Sequence, residues 1–139
     1  MSNNKRYDKY QQRVDLLRWL RSQGRPCWIC GLSIDYGAPQ GTPLCFECDE
    51  LIPVSRGGSP WDKGNVDAAH RCCNNWRRAK GVDEVKATRK AVAERFGGWS
   101  SPLDFVAKAK ALRKRPPKTG EKALCAATGT RSRTTTDWL

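Results

Sequence analysis

The cysteines and the single histidine are the side chains of this sequence best suited to chemistry. Cys27 and Cys30 form a Cys-x-x-Cys pair followed by Gly31, and two thiolates at such a tight turn can hold one edge of a tetrahedral zinc ion. His70 and Cys73 have the same spacing, which would put them on one face of the first turn of a helix. Together the two pairs predict a structural Zn²⁺ site.

A further cysteine pair, Cys45 and Cys48, leaves an alternative zinc site open. Its distance from Cys30 is also typical of zinc ribbons. However, the pair lies where the chain is predicted to be extended, and residues i and i+3 of a strand point to opposite faces. No glycine follows the pair to make a turn, so the spacing favours the site that includes His70. The remaining cysteines are interpreted as small buried or tolerated thiols.

Composition indicates a cytoplasmic protein that binds a polyanion. The N-terminal residues are polar and charged, and no apolar stretch is long enough to cross a membrane, so neither a secretory signal nor a membrane partner is expected. In a reducing compartment, clustered cysteines are more often metal ligands than disulfides. With 26 Lys and Arg against 14 Asp and Glu, the formal net charge is +12, which favours nucleic acid as the partner.

Sequence patterns divide the chain into four regions around the cysteines. The modest apolar content allows one small core, which a metal site would help to stabilise. In the first region, apolar residues recur at helical spacing until Gly24. The regions are a basic helix over 1–25, a cysteine-rich core over 26–81, two helices (83–95 and 102–114) within 82–115, and a basic disordered tail over 116–139.

Within the cysteine-rich core, the sequence predicts extended chain first and helix last. Residues 44–54 are predicted to be extended, with an interruption at Pro53. Ser-Arg-Gly-Gly-Ser-Pro at 55–60 predicts a loop. Residues 66–80 show a helical pattern, and a glycine follows as a plausible end of that helix.

The order of these motifs resembles the HNH (His-Asn-His) endonucleases. Asp-Glu-Leu-Ile-Pro follows the first cysteine pair, and Ser-Arg-Gly-Gly, Asn-Val and His-x-x-Cys-Asn then come in the order found in that family. Each motif alone is a weak signal, but the ordered set is specific. The resemblance covers residues 26–81, and the chain looks most similar to small zinc-stapled HNH proteins of bacteriophage genomes.

The resemblance implies a fold, an activity and a setting. The fold would be α+β: a small ββα-metal core of two antiparallel strands and a helix, stapled by zinc and flanked by the N-terminal and C-terminal helices. The activity would be divalent-metal-dependent hydrolysis of DNA phosphodiester bonds, by nicking or cleaving the duplex. The setting would be a phage-infected host cytoplasm, with a role beside the genome-packaging terminase.

The resemblance also assigns roles to four residues by their positions. Asp49 would bind a catalytic Mg²⁺ or Mn²⁺, which prefer hard oxygen ligands, and Asn74 would complete the shell of that ion. Asn65 would pin the loop that positions the base, because its amide offers both donors and an acceptor. Glu50 stands where the family has its first histidine, so Glu50 would be the general base or would orient a metal-bound hydroxide.

Basic residues near these motifs are predicted to contact DNA phosphates. Arg56 lies in the loop, and the geometry of a guanidinium suits phosphate oxygens. The other predicted contacts follow the helix motif and are Arg77, Arg78 and Lys80.

Two features keep other hypotheses open. In a regular strand Asp49 and Glu50 would face opposite sides, so both could serve one site only at a bend or a bulge. The loss of the family's first histidine favours a non-catalytic zinc module that binds DNA or a packaging protein. A third hypothesis keeps the nuclease but places zinc on the four cysteines of 27–48, which would leave His70 free as the base.

Overall fold

The structure of this protein is a computed structural model that describes residues 4–113, with side chains from residue 8 onward. The tail predicted over 116–139 lies outside the described residues. The chain divides into two units, Met1–Ala109 and Lys110–Leu139, and every predicted site residue lies in the first. The helices and strands are, in chain order, α1 (Asn4–Ser22), β1 (Phe46–Glu50), β2 (Val66–His70), α2 (Arg71–Arg77), α3 (Val82–Phe96) and α4 (Pro102–Leu112).

The two strands form an antiparallel hairpin that leads directly into a helix. The register of β1 and β2 is continuous from Phe46 opposite His70 to Glu50 opposite Val66. The first helical residue, Arg71, follows β2 without a connecting loop, and its amide donates to the carbonyl of the residue before β1 at 2.9 Å. The mixed α and β architecture agrees with the predicted α+β class.

The helix predicted over 66–80 is wrong in its first part. Residues 66–70 form β2, and the helix itself covers only Arg71–Arg77. Val66, Ala68 and Ala69 are all buried, so this short segment lacks the alternation that marks a half-exposed strand. An apolar run this short fits a buried strand as well as a helix, and pairing with β1 decides between them.

The helices supply about half of the buried apolar residues. α1 matches the helix predicted within 1–25 and buries Leu20, while α3 and α4 match the two predicted C-terminal helices. Val92 of α3 and Phe105 of α4 are fully buried. The Phe105 ring makes edge contacts with Trp76 and Trp99, with ring centroids 5.6 and 4.9 Å away. Among the described residues, none of the helices combines the length and the apolar character that crossing a bilayer would require.

Candidate metal centre and adjacent carboxylates

Three thiols and one imidazole converge where the hairpin leads into α2. Cys27 and Cys30 come from the turn that follows α1, His70 is the last residue of β2, and Cys73 lies in the first turn of α2. Their ligand atoms all lie within 4.8 Å of one another, and all four side chains are buried. These four residues, here called the cysteine–histidine group, could hold a structural metal ion such as Zn²⁺, which favours four thiolate and imidazole ligands.

Backbone hydrogen bonds shape the turn that presents the first two thiols. The amide of Gly31 donates to the carbonyl of Cys27 at 2.8 Å, and the amide of Cys27 donates to the carbonyl of Leu32 at 2.9 Å. Gly31 has a φ of +78°, and a Cβ at this position would overlap the guanidinium of Arg89. The guanidinium of Arg89 could move aside, but the positive φ favours glycine whatever the space, which explains the glycine after the Cys-x-x-Cys pair.

His70 engages both of its ring nitrogens. Nδ1 lies 3.4 Å from Sγ of Cys30, and Nε2 lies 3.0 Å from the carbonyl oxygen of Ser33. The backbone amide of His70 also donates to Sγ of Cys27 at 3.4 Å. With Nε2–H donating to a carbonyl, Nδ1 faces the thiols, and such a partner orients the ring of a metal-binding histidine. His70 is therefore oriented so that Nδ1 could bind a metal ion together with the three thiols.

The thiols and the imidazole influence one another's charge. Hydrogen bonds from the thiols of Cys30 and Cys73 lower the pKa of Cys27, and hydrogen bonds with Cys27 and Cys30 raise the pKa of Cys73. Burial acts to lower the pKa of His70, but hydrogen bonds with Cys27 and Cys30 outweigh burial and raise that pKa to about 10. The group therefore favours a positive charge at its centre, carried by a proton or by a bound cation.

The alternative pair, Cys45 and Cys48, takes no part in the metal-binding group found among residues 4–113. Cys45 is buried just before β1, and Sγ of Cys48 lies 3.9 Å from a guanidinium nitrogen of Arg13. The four predicted ligands are thus the ones brought together. One detail of the prediction is wrong, because His70 precedes α2 with an extended backbone (φ −71°, ψ 145°) and does not lie in its first turn.

Two side chains from the C-terminal half hold the outer side of the Cys27–Cys30 turn. The indole Nε1 of Trp99 donates to the carbonyl of Cys30 at 2.9 Å. A guanidinium nitrogen of Arg89 lies 3.5 Å from the carbonyl oxygen of Trp28. Such outer contacts fix the backbone of a metal site. Neither residue lies at a spacing that relates it to the cysteines, so the sequence did not predict these contacts.

A second polar group lies on the face of β1 that meets α2. Because side chains alternate along a strand, Glu47 and Asp49 share one face, and Cys48 and Glu50 share the other. Contacts agree with this alternation. Glu47 and Asp49 bind side chains of α2, whereas Cys48 lies against Arg13 of α1.

Asp49 is a buried carboxylate that is held by two donors. Its Oδ2 accepts hydrogen bonds from Nη1 of Arg77 at 2.8 Å and from Nε1 of Trp28 at 2.9 Å. Burial raises the pKa of Asp49, while the hydrogen bond and the charge of Arg77 act in the opposite direction. Since a guanidinium stays protonated at all ordinary pH values, its contact favours the charged carboxylate.

Glu47 and Asn74 meet on the same face. Nδ2 of Asn74 donates to Oε1 of Glu47 at 3.0 Å, and Arg71 pairs with Oε2 of Glu47 at 3.0 Å. Asn74 and Arg77 are one helical turn apart, so α2 sets both against the two carboxylates of β1. We call Glu47, Asp49 and Asn74 the carboxylate site. Glu47 was missed in the sequence, although its spacing of two from Asp49 in a predicted strand was a usable signal.

Glu50 does not share this face with Asp49. The ladder remains regular through the last pair, Glu50 opposite Val66, and contains no bulge between residues 46 and 50. The bend that would bring Glu50 and Asp49 into one site is therefore absent from this strand. Continuous pairing with β2 enforces the alternation and separates the two neighbouring acids.

Asn65 pins the connection between the strands, as predicted for the middle residue of the motif. Its Nδ2 donates to the carbonyls of Ile52 at 2.9 Å and Ser59 at 3.0 Å, and its Oδ1 accepts from the amide of Ile52 at 2.9 Å. Gly58 approaches so closely that a Cβ there would overlap the carbonyl of Ile52. One buried amide thus holds both ends of the loop, which also contains two 3-10 turns, Val54–Arg56 and Lys63–Asn65.

The four cations predicted to contact DNA differ in exposure. Arg56 and Arg78 are exposed. Lys80 is half-buried, and its ammonium donates to the carbonyl of Trp76 at 2.8 Å. Arg77 is only 1% exposed, so the prediction of a DNA contact is wrong for this residue. Its guanidinium binds a carboxylate and backbone carbonyls inside the protein instead.

Comparisons of the chain with protein-family models, with curated proteins and with solved structures find no match. The resemblance to the HNH endonucleases therefore depends on the motifs of residues 26–81 alone. The structure adds two independent facts, a mixed α and β fold with a two-stranded sheet and a buried group of three cysteines and one histidine that could hold a metal ion.

Proposed function

We propose that this protein is a divalent-metal-dependent DNA endonuclease with a zinc-stapled ββα-metal core. The carboxylate site carries the proposal, because two acids of β1 lie on the face of the hairpin that meets α2 and an amide of that helix contacts one of them. The 3.0 Å contact between Asn74 and Glu47 joins the helix to that strand. Support also comes from Asn65, whose three hydrogen bonds give the loop beside the site a single shape.

The carboxylate and amide oxygens of the carboxylate site suit a hard divalent ion such as Mg²⁺ or Mn²⁺. Asp49 is the proposed ion ligand, and the amide oxygen of Asn74 completes the shell. When bound, such an ion would stabilise negative charge on the scissile phosphate and on the leaving oxygen. Glu47 replaces Glu50 as the carboxylate proposed to accept a proton from water, because Glu47 shares the face of Asp49.

DNA is the proposed substrate because the chain carries a formal net charge of +12. The exposed guanidinium groups of Arg56 and Arg78 are proposed to bind phosphates. A phage origin, action in the host cytoplasm and a role beside terminase proteins come from the motif resemblance and are part of the proposal.

The direct test is nicking of supercoiled plasmid by the full-length, zinc-loaded protein with Mg²⁺ or Mn²⁺. Wild type should nick, and Asp49→Asn should lose most of that activity while it keeps its zinc. Asp15→Asn is a matched control, because Asp15 is an exposed acid of α1 that contacts only neighbouring residues of its own helix. Equal nicking by wild type and Asp49→Asn would contradict the assignment of Asp49.

One observation favours a second function, a non-catalytic zinc module that binds DNA. Asp49 is already neutralised by the buried guanidinium of Arg77 at 2.8 Å, so the site needs no metal ion to balance this charge. Such a module would bind plasmid without nicking it. Salt-dependent DNA binding by wild type, with no cleavage in Mg²⁺, Mn²⁺, Co²⁺ or Ni²⁺, would establish the second function over the first.

A further inference from the structure

Arg77 is surrounded by acceptors on every side of its guanidinium. Nη1 donates to Oδ2 of Asp49 and to the carbonyl of Glu50, each at 2.8 Å. Nη2 donates to the carbonyl of Leu51 at 2.6 Å, and Nε donates to the carbonyl of Lys80 at 2.9 Å. These contacts fasten the end of α2 to the end of β1. A guanidinium used in this way is fixed in both position and charge.

Trp28 completes this arrangement from the turn that carries the first cysteine pair. Its ring lies over the guanidinium of Arg77, with the ring centroid 4.9 Å from Cζ. Its Nε1 donates to the same Oδ2 of Asp49 that Arg77 binds. Two donors therefore occupy one oxygen of this carboxylate, which leaves Oδ1 as the oxygen that could meet an ion.

We propose that Arg77 is a built-in counter-cation of the carboxylate site, which competes with a divalent ion for Asp49 and fixes how that carboxylate is presented. The inference rests on the proposed function, in which Asp49 is the ion ligand. Mg²⁺ and Mn²⁺ bind carboxylate oxygens at roughly 2.1 Å, so an ion on Oδ1 of Asp49 would lie within about 7 Å of the guanidinium that binds Oδ2. Repulsion at that distance is poorly screened inside a protein.

The consequence is a site that binds its ion weakly. Arg77 is a positioning residue in this arrangement, because it acts on the reaction only through Asp49. Removal of its charge should strengthen ion binding and, at the same time, release the end of β1 from α2. A purely structural arginine would lower stability without any gain in affinity for the ion.

Mn²⁺ binding to the full-length, zinc-loaded protein tests the inference, with free Mn²⁺ measured by electron paramagnetic resonance. Arg77→Gln should bind Mn²⁺ about tenfold or more tighter than wild type, because a cation beside the carboxylate is removed. Adding Asp49→Asn to that variant should abolish the gain. Arg18→Gln is the matched control, since Arg18 is an exposed arginine of α1 and its replacement should leave Mn²⁺ affinity unchanged.

The outcomes separate this inference from the proposed function. If wild type nicks DNA and Arg77→Gln binds Mn²⁺ with wild-type affinity, the inference is overturned and the nuclease stands. If wild type does not nick DNA but Arg77→Gln gains a Mn²⁺ site that Asp49→Asn removes, the inference is supported and the nuclease proposal fails. If wild type does not nick DNA and Arg77→Gln binds Mn²⁺ no tighter than wild type, both fail.

Arg77→Met decides the question if Arg77→Gln does not fold, as judged by circular dichroism and zinc content. Its side chain is long and apolar and carries no charge. We expect Mn²⁺ affinity to rise about tenfold in this variant as well, because the cation beside Asp49 is again removed. Wild-type Mn²⁺ affinity in a folded Arg77→Met protein would overturn the inference.

Discussion

The cysteine–histidine group and the carboxylate site are built on the same hairpin and the same helix, yet they balance their charges in opposite ways. In the first, thiols and an imidazole point at one centre, and a cation there would balance the thiolates. In the second, Arg71 and Arg77 already pair with the carboxylates of Glu47 and Asp49 at 3.0 and 2.8 Å.

This difference predicts that a metal ion would have unequal importance at the two places. A structural ion at the cysteine–histidine group would join the turn after α1, the end of β2 and the start of α2, so its loss should release all three. The carboxylate site is held together by ion pairs of the protein itself. An ion there would have to compete with an arginine, and its removal should leave the fold intact.

Removing metal from the cysteine–histidine group should have the largest effect of any change. Structural zinc contributes an apparent ~10–16 kcal/mol in small zinc domains, so a strong chelator or His70→Ala should unfold the core. Zinc content by mass spectrometry and far-UV circular dichroism would measure both losses. Cys48→Ser is the control that should keep its zinc. A His70→Ala protein with one bound zinc and a wild-type Tm would remove His70 from the ligand set.

Replacement of Glu47 and Glu50, one at a time, tests which face of β1 carries the proposed general base. Loss of a general base costs about 10²–10⁴-fold in rate, and we expect a loss of that order for Glu47→Gln. Glu50→Gln should keep its activity within about threefold, because the side chain of Glu50 lies on the opposite face of β1 from Asp49. Single-turnover plasmid nicking with zinc content checked would measure both. A larger loss of nicking rate in Glu50→Gln than in Glu47→Gln would assign the general base to Glu50.

Truncation of Asn65 tests whether the loop beside the carboxylate site is held by that one amide. Asn65→Ala leaves the amide of Ile52 and two carbonyls without their partners. Each buried polar group that loses its hydrogen-bond partner lowers the free energy of unfolding by about 1–3 kcal/mol. We expect a lower midpoint of urea unfolding with zinc retained. Asn75→Ala, at an exposed position of α2, should change stability by less than ~0.5 kcal/mol. Equal midpoints for the two variants would show that the loop does not depend on Asn65.

Replacement of the exposed arginines should have the smallest effect. Arg78→Gln or Arg56→Ala would each remove one phosphate contact, which lowers the slope of log affinity against log salt by about 1. Fluorescence anisotropy of labelled duplex DNA at several salt concentrations would give that slope. An unchanged slope in both variants would place the DNA-binding surface elsewhere on the protein.

Local spacing was enough to predict the features that depend on neighbouring residues. Cys27 and Cys30 with the glycine behind them define a tight turn whatever surrounds it, and a pair such as His70 and Cys73 completes the ligand number. The helical spacing of α1, α3 and α4 follows from periodicity in the same way. The amide of Asn65 has the donors and the acceptor that its loop contacts require.

Pairing between β1 and β2 decided the secondary structure of residues 66–70 and which acids share a face, neither of which followed from local spacing. Residues 66–70 became a strand because β1 offered them partners, and the regular register then placed Glu47, and not Glu50, beside Asp49. Arg77 looked like a surface cation in the sequence, but the carboxylate and two of the three carbonyls that bind its guanidinium come from residues 26 or more positions away. The sequence by itself determined which side chains could bind a metal ion. Only the tertiary structure decided which charges meet, because ion pairs depend on distance in space and carry no signal in local spacing.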